Sequence, residues 1–83
     1  MDETRKRLLF RATHRGMQET DHLIGGFARH SLEKLDAGQL TLFEVLLGES
    51  DGDLLDWISG REPVPEAFDH PLMEMIINFS KGL

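Results

Sequence analysis

The sequence contains no cysteine and no tyrosine, and only three of its 83 residues are proline. Without cysteine the chain forms no disulfide, no thiolate zinc site and no cysteine-held iron–sulfur cluster, which suits a reducing compartment. The nucleophiles that remain for covalent catalysis are serine, threonine and carboxylate side chains. None of them has a histidine at a recognisable catalytic spacing. The residue types therefore favour a protein that is not an enzyme.

Long apolar runs are also missing. No stretch reaches 18 consecutive apolar residues, so we expect no segment that inserts into a membrane. The first eleven residues carry charges but have no apolar core followed by a small-residue cleavage site, so no secretory signal is predicted. We therefore expect the protein to stay where it is made, in the cytoplasm.

The length of the chain predicts a single domain over residues 1–83. A domain of this size buries only about 60–65% of its unfolded surface, so it builds one modest core and has no cleft between domains. Hydrophobic residues make up 40% of the sequence and charged residues 29%, a balance typical of a globular protein rather than a disordered one.

Charge is unevenly distributed along the chain. The net charge is −6, but residues 1–15 hold five cationic side chains against two carboxylates, a net charge of +3, and the remainder carries −9. Such a dipole favours an oriented encounter with a protein partner. It disfavours nucleic acid, which needs a broad basic face, and hence a helix-turn-helix DNA binder. The alternative is that the basic stretch is only the solvated face of the first helix.

Hydrophobic periodicity predicts an all-α fold, a single small five-helix bundle. No segment alternates with period two over enough residues to form a strand. The first two helices are expected at about residues 4–13 and 17–35. The third is expected after a capping box that begins at Asp36, the fourth after Ser50 or Asp51, and the fifth after Asp69. Gly48 and Gly60 are expected to end the third and fourth helices.

The predicted second helix has one apolar face and one polar face. Its apolar face carries Met17, Thr20, Ile24, Phe27, Ala28, Ser31 and Leu35, and its polar face carries Glu19, His22, Gly26, Arg29 and His30. The pair Gly25-Gly26 costs roughly 1 kcal/mol per glycine relative to alanine in a helix interior. We expect close packing of another helix to offset that cost, and clearance for a partner chain is the alternative. Leu72, Ile76, Phe79 and Leu83 predict the buried face of the last helix, beside Met73.

Residues 13–21, here called the hinge segment, connect the first two predicted helices. A turn there explains Gly16, because glycine adopts φ > 0 without steric cost. The turn does not explain the neighbouring specific side chains, which indicate a recognition surface. Arg15 offers a planar fork for a carboxylate or a pair of carbonyls, Met17 adapts to an irregular pocket, and Glu19 faces outward. The alternative is an ordinary helix end followed by a helix start, with charges that are merely solvated.

Metal binding is not expected. Glu19 and His22 stand at the i, i+3 spacing of di-iron helical bundles, but those sites need two such motifs and the sequence has one. His22 and His30 are eight residues apart, about 12 Å along a helix, which is too far to share an ion. Asp51-Gly52-Asp53 lacks the other ligand positions of a calcium loop.

Residues 15–21, Arg-Gly-Met-Gln-Glu-Thr-Asp, resemble the Arg-Gly-x-x-Glu-x-Asp signature of the small succinate dehydrogenase assembly factors, also called flavinylation factors. The surrounding segments fit as well: a basic helix at residues 5–11, Leu-Ile-Gly-x-Phe-Ala at 23–28, Phe-Glu-x-Leu-Leu at 43–47 and Asp-x-x-Asp-Trp at 53–57. The resemblance covers nearly the whole chain. One departure is Gly26, where many relatives carry a large basic residue.

The resemblance implies a five-helix fold and a chaperone-like role rather than an enzymatic one. Such factors bind the flavoprotein subunit of succinate dehydrogenase and, in bacteria, the related fumarate reductase subunit. They promote covalent attachment of FAD to a histidine of that subunit, so the flavin belongs to the client and the factor itself binds no cofactor. The residues implied as the partner-binding surface, beside His14 and His22, are Arg15, Gly16, Met17, Glu19 and Asp21.

Two other functions remain open from the residues alone. A generic helical adaptor or regulator with a different client would share every bulk property of this sequence. A small metal- or flavin-binding protein is the second alternative, and a yellow preparation with bound flavin would favour it.

Overall fold

The computed structural model describes residues 1–83 as five helices joined by turns, with no strand. We number the helices α1 (Glu3–Thr13), α2 (residues 18–34), α3 (Ala37–Leu47), α4 (Asp51–Ser59) and α5 (Pro71–Lys81). The predicted all-α class and the five helices are confirmed. None of these helices combines the length and apolarity that crossing a membrane requires.

Helix α2 consists of four segments with three kinds of winding. It starts as an α-helical turn (Gln18–Thr20), widens into a π-helix (Asp21–Gly25), returns to α-helix (Gly26–Ser31) and tightens into a 3₁₀ turn (Leu32–Lys34). The sequence predicted the extent of this helix but not the π segment. Hydrophobic periodicity does not distinguish a single π-helical turn from α-helix, because the buried side chains before and after the turn still lie on one face of the helix.

The helix starts follow the sequence closely, with one exception. Asp2 caps α1, the box of Asp36 and Gln39 begins α3, and Ser50 caps α4. Helix α5 is capped by His70 and not, as predicted, by Asp69. His70 Nδ1 accepts a hydrogen bond from the Met73 amide at 3.2 Å, because Pro71 occupies the first helical position and fixes the start one residue later.

One core holds the five helices together. Its sixteen buried apolar residues come from every helix: Leu8, Ala12, Ile24, Phe27, Ala28, Leu32, Leu35, Leu40, Phe43, Leu46, Leu47, Leu54, Ile58, Leu72, Met73 and Ile76. Phe79 is only partly buried against this core, and Leu83 is 59% exposed. The prediction that Leu83 continues the buried face of the last helix is therefore wrong, because α5 ends at Lys81.

The connector before α5 is partly helical. Residues 63–65 form neither helix nor strand, and a 3₁₀ turn follows them (Glu66–Phe68). This turn brings the Phe68 ring onto Trp57, with centroids 5.2 Å apart and planes 27° apart. Trp57 is therefore partly buried at the border of the core rather than fully inside it.

The glycine pair in α2 allows two other helices to approach closely. A Cβ on Gly25 would lie 3.2 Å from Ala12 O and 3.2 Å from Thr13 Cγ2, so the end of α1 packs directly on this backbone. A Cβ on Gly26 would lie 3.3 Å from the Phe79 ring of α5. The expectation that helix packing offsets the cost of the two glycines is confirmed, and this packing fixes the position of the turn that follows α1.

We expect Gly25→Ala to lower stability by about 1–3 kcal/mol, because a backbone carbonyl cannot move aside as the end of a flexible side chain can. The measurement is thermal unfolding followed by circular dichroism. Gly52→Ala is the matched control, since a Cβ there meets no atom within 4 Å. The control should be as stable as the unmodified chain, or more stable by up to about 1 kcal/mol, because alanine has a higher helix propensity than glycine. Equal melting temperatures for the two variants would contradict close packing at Gly25.

Candidate partner-binding site

The hinge segment is tied to the loop between α3 and α4 by Arg15. The guanidinium donates from Nη1 to Leu47 O at 3.0 Å, from Nη2 to Glu49 O at 2.6 Å, and from Nε to the Asp51 carboxylate. Its side chain is only 10% exposed. The sequence predicted a fork that grips a carboxylate and a carbonyl pair, and the structure shows that grip, but on groups of the same chain. Arg15 therefore does not present a free guanidinium to a partner.

Asp51 completes the connection from the other side. Its Oδ2 accepts hydrogen bonds from the backbone amides of Gly16 at 3.0 Å and Met17 at 3.1 Å. Partial burial alone would raise the pKa of the Asp51 carboxyl. The hydrogen bond and the positive charge of Arg15, together with the Gly16 amide, outweigh that effect and lower the pKa below its ordinary value of 3.8. Asp51 is thus held as a carboxylate at neutral pH.

Asp21 fixes the inner side of the same turn. Its Oδ1 accepts a hydrogen bond from the Arg15 amide at 2.6 Å, and the Thr20 hydroxyl donates to Met17 O at 3.1 Å. Two carboxylates therefore hold the amides of three consecutive residues, Arg15 to Met17. A turn fixed in this way has little freedom to rearrange when a partner binds, so it presents a preorganised surface.

Gly16 does not have the conformation that the sequence predicted. The only residue of the chain with positive φ is Gly60, at +83°, so the expectation of φ > 0 at Gly16 is wrong. The two carboxylates shape the turn instead. A Cβ on Gly16 would lie 3.4 Å from Asp51 Oδ2, an ordinary contact, and the residue is exposed. The fold does not require glycine here, and what glycine provides is bare, accessible backbone.

A shallow polar groove begins beside the turn and runs along α2. It has a volume of about 550 Å³, and its lining is entirely polar: Thr13, Gln18, Glu19, Asp21, His22 and Arg29. Glu19, His22 and Arg29 are exposed, as the helical face predicted, and Arg29 forms no ion pair. No group of three or more histidine or carboxylate side chains is arranged as metal ligands in the structure.

The predicted site residues thus fall into two groups. Gly16 and Glu19 are exposed, and Met17 is partly buried at the mouth of the turn. Arg15 and Asp21 lie beneath them and build the turn. Contact of all five with a partner stays a prediction. The sequence reasoning missed Asp51, which it considered only as a helix cap or calcium ligand, because its pairing with Arg15 spans 36 positions.

The charge dipole predicted from the sequence is weaker in the folded chain. Arg7 and Arg11 lie 2.6 Å and 3.8 Å from the same Glu44 oxygen, and Arg15 pairs with Asp51. Three of the five N-terminal cations are therefore paired with two carboxylates of the acidic remainder, Glu44 and Asp51. The groove carries charges of both signs, from Glu19 and Arg29. These local charges can select a partner more specifically than the overall charge dipole can.

We expect Asp51→Ala to destabilise the protein by about 2–3 kcal/mol, because it leaves the nearly buried Arg15 guanidinium and two amides without their acceptor. The measurement is urea unfolding at neutral pH. Asp53→Ala is the control, since Asp53 lies in the same first turn of α4 but is exposed and forms no ion pair. The control should lose less than about 1 kcal/mol. A comparable loss in both variants would contradict the connecting role of Asp51.

The same pairing predicts how stability responds to acid. The pKa of Asp51 is lower in the folded than in the unfolded state. Its contribution to the free energy of unfolding is therefore fully present at pH values above the unfolded-state pKa, and it is lost as the pH falls through the folded-state pKa. Urea midpoints measured from pH 7 down to pH 3 should therefore fall less steeply for Asp51→Asn than for the unmodified chain. Parallel slopes would show that Asp51 is not held as predicted.

Comparison with known proteins places this chain in a family. The family described as "Flavinator of succinate dehydrogenase" matches residues 6–80. A similar protein is the FAD assembly factor SdhE of Acetobacter pasteurianus, 43% identical over 93% of this chain and 71% of the relative. The mitochondrial succinate dehydrogenase assembly factor 2 of Dictyostelium discoideum is 35% identical over 99% of this chain. That of Danio rerio is 34% identical, also over 99%.

The match to the mitochondrial relatives covers only part of each of them. The chain spans 58% of the Dictyostelium protein and 53% of the Danio protein, whereas the family match extends over nearly all of this chain. The matched residues 6–80 include the hinge segment, the polar groove and all the residues that fix the turn. On this evidence the chain belongs to the family of flavinators of succinate dehydrogenase.

Proposed function

We propose that this chain binds the flavoprotein subunit of succinate dehydrogenase and promotes covalent attachment of FAD to it. The observation that supports the client is the family match over residues 6–80, and the surface at Gly16 is the proposed contact. The fold leaves room there for a side chain and does not need positive φ, yet the backbone is bare and held rigidly beside a polar groove. A surface with these properties suits a partner that approaches the backbone closely.

The groups at this surface are suited to contact rather than to reaction. The exposed polar groups are the Glu19 carboxylate and the groove side chains, which suit hydrogen bonds and ion pairs with a protein partner. The strongly polarised pair of Arg15 and Asp51 is engaged in holding the turn. In this proposal the bond to the flavin is formed by a histidine of the client, and no atom of this chain enters the product.

The contribution of the chain is then differential binding. A ligand shifts a conformational equilibrium only by the difference between its affinities for the two states. If the chain binds the attachment-competent state of the client about 100-fold more tightly than other states, it favours that state by about 2.7 kcal/mol. A preorganised turn serves this purpose, because little binding energy is lost in ordering it.

The residues take two proposed roles. Gly16, Met17 and Glu19 contact the client, and Arg15 and Asp21 act by positioning the turn that presents them. FAD stays with the client, and this chain holds none of its own. We extend the proposal to the related flavoprotein subunit of fumarate reductase and to a location in the bacterial cytoplasm, for which the similarity to the Acetobacter protein is the support.

We expect Gly16→Arg to abolish binding to the purified flavoprotein subunit while the fold persists, since Gly16 is exposed and a Cβ there meets only Asp51 Oδ2, at 3.4 Å. Gly38→Arg is a matched control. Both glycines are exposed, and a Cβ at either would lie 3.4 Å from a carboxylate oxygen. Gly38 lies at the start of α3, about 13 Å along the helix from Leu47, whose carbonyl accepts a hydrogen bond from Arg15.

The readouts are affinity for the subunit and the helical circular-dichroism signal. Loss of binding in Gly16→Arg alone supports the proposed surface. Loss of helix together with binding would make Gly16 a structural residue. Equal, undiminished binding by both variants would place the interface elsewhere on the molecule.

We expect Glu19→Ala to weaken binding by about tenfold or more, with a change in stability within about 0.5 kcal/mol, because the side chain is exposed and forms no ion pair. Glu74→Ala is the control, as both glutamates are exposed and lie in the first turn of a helix. Calorimetric titration against the subunit measures both variants. A chain that binds equally well without Glu19, or that captures an unrelated client, would favour the generic adaptor instead.

A further inference from the structure

The most exposed large apolar side chain of the molecule lies beside the hinge segment. Phe10, on α1, is 62% exposed, more than Leu83 at the chain end or Val45 on α3. Its ring stacks on His14, with centroids 3.9 Å apart and planes 17° apart. Neither ring packs into the hydrophobic core. The fold of the chain therefore does not account for this aromatic pair.

The pair is held in a single arrangement. His14 Nδ1 lies 2.8 Å from Phe10 O and 3.1 Å from Thr13 Oγ1, and that hydroxyl in turn donates to Leu9 O at 2.8 Å. A carbonyl oxygen only accepts, so Nδ1 carries a proton, and in the tautomer protonated at Nδ1 alone Nε2 is an acceptor that no group of the chain occupies. An exposed aromatic ring that is already ordered loses little conformational entropy when a partner covers it.

The pair adjoins the polar groove. Thr13, which contacts His14, is itself one of the residues that line the groove, and it lies on the same side of α1 as Phe10. The surface is therefore continuous from the Phe10 ring, across Thr13, to Glu19 and Arg29. It combines an apolar projection with a polar channel, as the centre and rim of a protein interface do.

We propose that the stacked pair of Phe10 and His14 extends the hinge surface and docks into an apolar pocket of the client subunit, where a hydrogen-bond donor faces His14 Nε2. This inference rests on the proposed function. We assign the client rather than a second copy of this chain as the occupant, because the pair is continuous with the hinge surface through Thr13. A stable interface of either kind buries about 800 Å² on each partner. A phenylalanine supplies at most about 150–250 Å². Phe10 needs the adjoining groove to complete an interface.

The test compares the affinities of four chains for the purified flavoprotein subunit by calorimetric titration. Phe10→Ala should weaken binding about tenfold or more, as removal of a buried aromatic anchor does. Phe10→Leu, which keeps an apolar side chain, should stay within about threefold of the unmodified chain. Val45→Ala is the matched control, since Val45 is 55% exposed but lies on α3, and its affinity should not change.

The outcomes separate this inference from the proposed function. If the unmodified chain does not bind the subunit, both fall. If it binds and Gly16→Arg abolishes binding, but Phe10→Ala binds normally, only the aromatic extension is overturned. If Phe10→Ala lowers the melting temperature as well as the affinity for the subunit, Phe10 has a structural role. Conversion of a dimer into a monomer by Phe10→Ala, seen by light scattering, would assign the pair to self-association instead.

Discussion

The turn that shapes the proposed surface depends on one ion pair, between Arg15 just after α1 and Asp51 at the start of α4. Through it the turn before α2 is joined to the loop after α3, where the guanidinium also satisfies two carbonyls. Arg5 does the same at the other end of α1, donating to Leu32 O at 2.9 Å and to Leu35 O. Each arginine places a cation at the carbonyl end of a helix, where the dipole favours it.

This arrangement separates the residues that build the proposed surface from those that face a partner. Arg15, Asp21 and Asp51 are occupied with one another and with backbone amides, so they set the shape of the turn. Glu19 lies outside this network, and Gly16, which contributes only its backbone amide to it, is exposed. A substitution in the first group is expected to act through stability and shape. A substitution in the second group acts on binding alone, and this difference makes the two roles experimentally separable.

Much of the fold could be predicted from the sequence, because local signals determine it. The Asp36 capping box, the termination at Gly60 and the faces of α2 depend on residues within one or two turns. The π segment of α2 and the helix start at His70 were missed, because packing and a proline move boundaries that periodicity does not resolve. At the site, the hinge motif marked the right segment. The internal use of Arg15 was not predictable, because its acceptor lies 36 positions away.

The central claim is that this chain accelerates flavin attachment by binding the client, without supplying a reacting group. The most direct measurement is a reconstitution with purified flavoprotein subunit and FAD, in which covalent flavin is followed by fluorescence on a denaturing gel. We expect that adding the chain raises the rate of attachment, that the rate saturates as the chain and the subunit form a one-to-one complex, and that the chain itself remains unmodified. A rate independent of the chain, or flavin bound covalently to the chain, would contradict it.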